Sequence, residues 1–280
     1  MFKTLCGLVP ADPHDSERTR RLLILKRVLD GTLYDGLPYE FHEERGAGGE
    51  YIPLRLRKPS VRYPLARIVV DDSVSLVFSE GHFPTIDCPD QRVRALFADL
   101  AKECTLNHVM MEAALRGAIG SVAILFRVLN GRAFFSVLES PHLTPEWDPE
   151  APDELLRVTE RYKVRGAALI PRGFTDLDPG TEYWVMRQWD ALDEVWFEPQ
   201  PVAGPRHAPV PDPQHSKRHG MGFVPLVWIR NLPGGPDGVD AVDGACTFRA
   251  AVETNIEIDY QLSQAGRGLK YSSDPTLLIR

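Results

Sequence analysis

The chain has 280 residues, of which 43% are hydrophobic and 25% charged, and its formal net charge is −7. That length can bury one large core or two modest ones, and the acidic balance argues against tight sequence-independent binding to nucleic acid, which relies on clustered Lys and Arg. The longest wholly apolar run, 122–126, is far too short to span a bilayer, and the N-terminus lacks the length of a signal-peptide core, so a soluble, non-exported protein is expected.

The 24 prolines and 22 glycines predict short elements joined by turns. Cys6, Cys88, Cys104 and Cys246 are widely spaced with no Cys-x-x-Cys, as expected of free, mostly buried thiols in a reducing cytoplasm. Asp15 or Ser16 can cap a first helix over 17–29, where Leu22, Leu25, Val28 and Leu29 recur at helical spacing and Gly31 ends the run. Residues 31–64 are loop-like and long for a structureless connection, so they are expected to be partly extended and packed on something else, such as a neighbouring subunit. Residues 67–70 read as strand, and 73–79 continue either as strand or as a short helix.

Pro89, after Asp87, opens a helix over 90–104 with Val93, Leu96, Phe97 and Leu100 on one face, and a second helical pattern covers 106–117. Residues 121–140 read as a β-hairpin about Asn130-Gly131, a pair that accepts the positive φ angles of a type I′ turn. A second strand pair flanks 148–154 with 155–164 as its return, and a third pairs 182–190 with 194–198. Residues 199–220, rich in Pro, His and Gly, read as a loop, followed by a strand over 223–229 and a long helix over 239–264. There is no internal repeat, and the order predicts an α+β protein of helices, then hairpins, then a helix.

Several clusters invite a chemical reading. His215 and His219 have i, i+4 spacing near His207, and paired imidazoles bind zinc. The Pro/Gly density of the segment disfavours the helix that would align them, and no His-Glu-x-x-His is present, so a solvated loop is the simpler reading. Asp237, Asp240 and Asp243 lack the alternation and glycine of a calcium loop and suit the first turns of a helix, with Asp237 as its cap. Asp71 and Asp72, if in a strand, point to opposite faces. Gly46-x-Gly-Gly opens no helix and so fails as a phosphate cradle. The five tryptophans could stack nucleobases, but each sits in or beside a predicted strand, where packing is the simpler role. Nothing here assembles a catalytic site.

The long helix carries an apolar stripe of Val242, Ala245, Cys246, Val252, Ile256 and Tyr260, with Phe248, Ile258 and Leu262 off it or at its margin. Such a helix needs neighbours on more than one side. It is acidic through Asp240, Asp243, Glu253, Glu257 and Asp259 against Arg249 alone, and Gly266 and Gly268 are expected to stop it.

Gly222-Phe-Val-Pro-Leu-Val-Trp-Ile-Arg-Asn, followed by Asp240-Ala-Val-Asp and the long helix, resembles the passage from wing to first stem helix in portal proteins of tailed bacteriophages. Upstream, Arg67-Ile-Val-Val-Asp-Asp, Ala114-Leu-Arg-Gly-Ala-Ile-Gly-Ser-Val-Ala and Pro141-His-Leu-Thr-Pro-Glu-Trp-Asp follow in wing-like order, so the likeness covers most of 60–280. The resemblance implies a wing-like domain over 1–221 and a strand, hinge and acidic stem helix over 222–265. It also implies that 266–280 begin a clip-like region, with a new apolar run at Thr276-Leu-Leu-Ile, and that the chain stops short of the second stem helix and crown.

The same resemblance implies a non-catalytic virion protein without cofactor. It would be a cyclic homo-oligomer, typically a dodecamer, at the portal vertex and, during assembly, in the host cytoplasm. Its partners would be the terminase large subunit, the major capsid protein, head-completion or connector proteins and sometimes scaffold, with double-stranded DNA passing through the ring. Asp243, Glu253 and Glu257, which fall on one broad helical face, are the candidate channel-facing residues, and a solvated acidic surface is their simpler alternative. Other head or baseplate adaptors, minor capsid proteins, and a metal-dependent hydrolase using His207, His215 and His219 are the alternative functions.

Overall fold

A computed structural model describes residues 2–8, 12–78, 84, 87–205, 207–234 and 242–273. The fold is α+β and ends, among the described residues, in a long helix. The helices are α1 (Phe2–Leu8), α2 (Glu17–Leu29), α3 (Leu65–Phe78), α4 (Gln91–Glu103), α5 (Leu106–Gly117), α6 (Gly166–Leu169) and α7 (Val252–Ser273). The strands are β1 (Tyr39–Glu40), β2 (Arg57–Lys58), β3 (Ser121–Leu129), β4 (Arg132–Glu139), β5 (Leu143–Trp147), β6 (Leu155–Arg165), β7 (Glu182–Trp189), β8 (Asp193–Phe197), β9 (Gln200–Pro201), β10 (Pro211–Arg218) and β11 (Leu226–Arg230). Two compact units result: 1–85, 114–120 and 230–280 in one, 86–113 and 121–229 in the other. Residues 1–221, read as one wing-like segment in the sequence, are therefore distributed over both.

The first unit is built on helices. Ser16 caps α2, its hydroxyl accepting from the Thr19 amide at 3.1 Å, and Leu22 and Leu25 turn into the core. Residues 31–64 are not a free loop. Leu33, Tyr34, Leu37 and Phe41 pack into the core of their own unit, and β1 and β2 pair in parallel. Residues 65–78 form a single helix, not the strand expected over 67–70, because Ala66, Val70 and Val74 recur at four-residue spacing and face the core. Asp71 and Asp72 are thereby exposed helical residues, and Arg67 pairs with Asp71 one turn on at 2.8 Å.

The second unit holds α4, most of α5 and two sheets. The β3–β4 hairpin turns at Asn130 and Gly131 with φ of 52° and 76°, the turn read from the sequence. β11 joins β3 in that sheet, and the larger antiparallel sheet runs β10-β8-β7-β6-β5 with β9 beside β7. Ala123, Leu125, Leu143, Val158, Trp189 and Leu226 share one core cluster. The expected hairpins over 143–165 and 182–197 are present. The expected loop over 199–220 is not. It supplies β9 and the edge strand β10, whose Pro211 and Pro213 are tolerable because an edge leaves one row of amides unpaired. Asp90 caps α4, accepting from the Arg92 amide at 2.8 Å, and Pro89 lies just before the helix. On the apolar face of α4, Leu96 and Phe97 are exposed, Leu96 at 67%, and Val93 and Leu100 are half-buried.

The four cysteines are unbridged. Cys104 is buried and the others are half-buried. Burial raises the thiols of Cys6 and Cys104, and raises Cys246 to about 11. No described helix is long and apolar enough to cross a membrane.

Candidate functional site

The strand-to-helix passage differs from its sequence reading at both ends. The helix was expected over 239–264. Residues 239–241, like Asp237 and Asp240, lie outside the described residues, and α7 begins only at Val252 after a 3-10 turn over Arg249–Ala251. The reason is where the amides of 244–247 go. Gly244 donates to Gly120 O at 2.8 Å, Ala245 to Leu232 O at 2.7 Å and Thr247 to Ala118 O at 2.9 Å, so this stretch is held as an extended strap. Asn231, last residue of the motif that carries the portal likeness, clamps the strap. Its side-chain amide donates to Ala245 O at 2.7 Å and Thr247 Oγ1 at 2.9 Å. Gly244 sits so close that an added Cβ would lie 2.6 Å from Leu232 O and 2.7 Å from Asn231 N.

At the other end, Gly266 and Gly268 do not stop the helix. It runs to Ser273, about 33 Å for 22 residues. Residues 266–273, expected to begin a clip-like region, are its last turns, and the Thr276 run lies outside the described residues. Lys270 favours that continuation by placing positive charge in the last turn, at the negative end of the helix dipole. Arg267 pairs with Glu44.

The buried face of α7 has two rows. Val252, Ile256 and Tyr260 enter the hydrophobic core. Beside them Asn255, Asp259 and Ser263, also at four-residue spacing, lace the helix to residues 61–66. The Asp259 carboxylate accepts from the Tyr63 amide at 2.6 Å, the Tyr34 hydroxyl at 2.7 Å and Asn255 Nδ2 at 3.1 Å. Asn255 Oδ1 accepts from the Ala66 amide at 3.2 Å, satisfying a first-turn N–H of α3 from another helix. Ser263 accepts from the Val61 amide at 3.0 Å. Burial is the main cause holding the Asp259 carboxyl above its ordinary range, and burial with the Asp259 contact raises the Tyr34 phenol. Tyr260, raised by burial to about 12, donates to Arg57 O at 2.9 Å.

The three channel-facing candidates separate. Asp243 is 2% exposed and outside the helix. Its carboxylate is gripped by Arg18 through Nε at 2.7 Å and Nη2 at 2.8 Å, with Arg21 at 3.5 Å. It faces into its unit, and a bidentate partner 225 residues away left no local signal. Asp259 likewise leaves the acidic surface of the helix for the interior. Glu253 and Glu257 are exposed on α7, Glu257 accepting from Gln261 at 3.0 Å. On a different side of the helix, about a third of a turn round from Glu257, runs a row of Ile258, Leu262, Ala265 and Leu269 at steps of four, three and four. Leu262 is 41% and Leu269 69% exposed. From Gln264 to Ser273 every residue but half-buried Arg267 is exposed.

The histidines have separate duties. His207 is exposed; His215 Nδ1 lies 2.6 Å from Asp212 Oδ2 with its ring stacked on Phe174; His219 Nδ1 accepts from the Met221 amide at 3.3 Å and its Nε2 lies 3.1 Å from Asp190 O. Among the described residues no three His, Cys, Asp or Glu side chains are grouped to hold a metal ion. Trp189 is core, while Trp184 carries Arg161 at 4.0 Å and Lys163 at 4.7 Å over its ring.

The sequence matches no protein-family model and no curated protein.

Proposed function

We propose that this chain is a structural component of a tailed-phage virion, the wing and first stem helix of a portal ring. In this reading α7 is the stem helix, the α+β units before it form the wing, and copies associate with cyclic symmetry, typically as a dodecamer. Double-stranded DNA passes through the ring, and the terminase large subunit and the capsid, connector and scaffold proteins dock on it. The protein has no catalytic role.

One observation carries the reading: α7 is laced to its unit along one face only, and offers solvent a second face and its last three turns. A heptad-like apolar row with 41% and 69% exposed leucines, with acidic Glu253 and Glu257 on a different side, suits a helix with helical neighbours on one side and a repelled polyanion on the other. A heterologous contact of this kind, repeated by rotation, closes a ring. Native mass spectrometry or electron microscopy of the longest product of the gene tests the proposal. Closed rings of about twelve subunits are expected; a strictly monomeric protein overturns it.

A further inference from the structure

Within the second unit, the turn-proximal half of β3, β8 and the end of β10 enclose a cleft of about 440 Å³, within the size range of small-ligand sites. Its charged lining is Arg127, Glu194, Lys217 and Arg218. The one carboxylate is already engaged: Glu194 accepts from Arg127 Nη2 at 2.7 Å and Trp196 Nε1 at 3.1 Å, with Arg187 at 3.9 Å. Lys217 and Arg218 are exposed and, among the described residues, form no ion pair. Two further donors of the same wall, Arg127 Nε and the Nε1 of fully buried Trp189, are buried without an acceptor. Buried donors in folded proteins almost always have partners, so an unmatched one calls for a bound water, ion or ligand. The remaining wall includes Phe126, Trp196 and Met221.

We propose that this cleft binds a small organic oxyanion, a phosphate or carboxylate group on an apolar or aromatic body. The oxyanion meets Lys217, which shares the sheet face of Glu194, and the Nε–H of Arg127, forming charge-assisted hydrogen bonds. The body lies against Trp196 and Met221. This assignment is independent of the ring-forming role proposed above and gathers residues that role leaves unused.

Isothermal titration calorimetry of the full chain with phenyl phosphate, benzoate and inorganic phosphate tests it. Saturable binding of phenyl phosphate or benzoate is expected, whichever is tighter naming the head group, and inorganic phosphate should bind several-fold more weakly. Lys217→Ala/Arg218→Ala should weaken binding at least tenfold. Arg92→Ala/Lys102→Ala, which removes equal charge from exposed α4, should leave it unchanged. All substituted positions are exposed, and ligand-free unfolding midpoints report whether each variant folds; Lys217→Glu alone serves as the second variant. The absence of saturable binding by all three probes overturns the proposal, as does equal weakening in both double variants. Equal affinity for inorganic phosphate and phenyl phosphate removes the aromatic body from it.

Discussion

The Tyr34 hydroxyl donates to Asp259 Oδ2 at 2.7 Å, joining residues 225 apart in sequence and fastening α7 to the segment that follows α2. The same carboxylate also takes the Tyr63 amide and Asn255 Nδ2, so its removal takes an acceptor from three donors, of which the Tyr34 hydroxyl is buried and Asn255 Nδ2 keeps Tyr63 O. Asp259→Ala is expected to cost about 2–4 kcal/mol, and Tyr34→Phe, which removes one donor, about 1–2 kcal/mol. Urea unfolding measures both. A loss below about 0.5 kcal/mol for Asp259→Ala would show that the lacing does not hold the helix.

The pH dependence has a definite sign. Burial raises the Asp259 carboxyl in the folded state, so the native protein binds its proton more tightly than the unfolded chain does. That contribution is complete below the ordinary Asp value of about 3.9 and is lost as pH rises through the folded value. The stability gap between the parent and Asp259→Asn should therefore narrow from pH 4 upward, since the other carboxylates titrate alike in both. Urea midpoints for the pair at half-unit steps to pH 7 would show it, and a gap that widens would reverse the assignment.

A second carboxylate far from its partner behaves differently. Arg18 holds Asp243 in a buried, bidentate pair, whereas Arg67 and Asp71 form an exposed i, i+4 pair. Arg18→Ala leaves a buried carboxylate with Arg21 at 3.5 Å and is expected to cost about 2–4 kcal/mol. Arg67→Ala should cost about 0.5 kcal/mol or less. Equal losses in chemical denaturation would mean that Asp243 reaches water.

What could be read from the sequence follows the range of the forces involved. The Ser16 cap and the Asn130-Gly131 turn are contacts between residues near in sequence, and both are where local chemistry puts them. The run Ile68-Val69-Val70 has strand propensity, but the burial of Ala66, Val70 and Val74 and a cap from distant Asn255 make it helix. Pro211 and Pro213 hid β10 because edge position is a property of the assembled sheet. Asp243 and Asp259 looked like surface acids because Arg18 and Tyr34 lie more than 200 residues away. The row Asn255, Asp259, Ser263 was visible as polar residues every four beside an apolar row, and that spacing was the available sign of a buried polar seam.

The glycines of the passage make a paired test. At Gly244 a Cβ would overlap the backbone of Leu232 and Asn231, atoms that cannot move without breaking the strap. Gly244→Ala is expected to cost about 2 kcal/mol or more. At Gly266 and Gly268 a Cβ meets nothing within 4 Å, and both lie in an exposed helix, so Ala should stabilise by up to about 1 kcal/mol each. Thermal unfolding separates the two classes. Destabilisation by Ala at 266 or 268 in the assembled protein alone would instead show a close neighbour on that face.

Glu253 and Glu257 carry what remains of the proposed acidic channel wall. Both are exposed on α7, one turn apart, and neither lies on the laced face, although Glu253 also accepts from the Phe2 amide of α1 at 3.4 Å. A negative wall repels phosphate and lets DNA slide, whereas lysines there would hold it through counterion release. Glu253→Lys/Glu257→Lys in the full gene product should leave ring assembly intact while slowing DNA packaging. The defect should ease as salt rises, because screened lysines grip phosphate less. Packaging at the parental rate in intact rings would place these glutamates on the outer surface, and loss of the rings would assign them to the contact between copies.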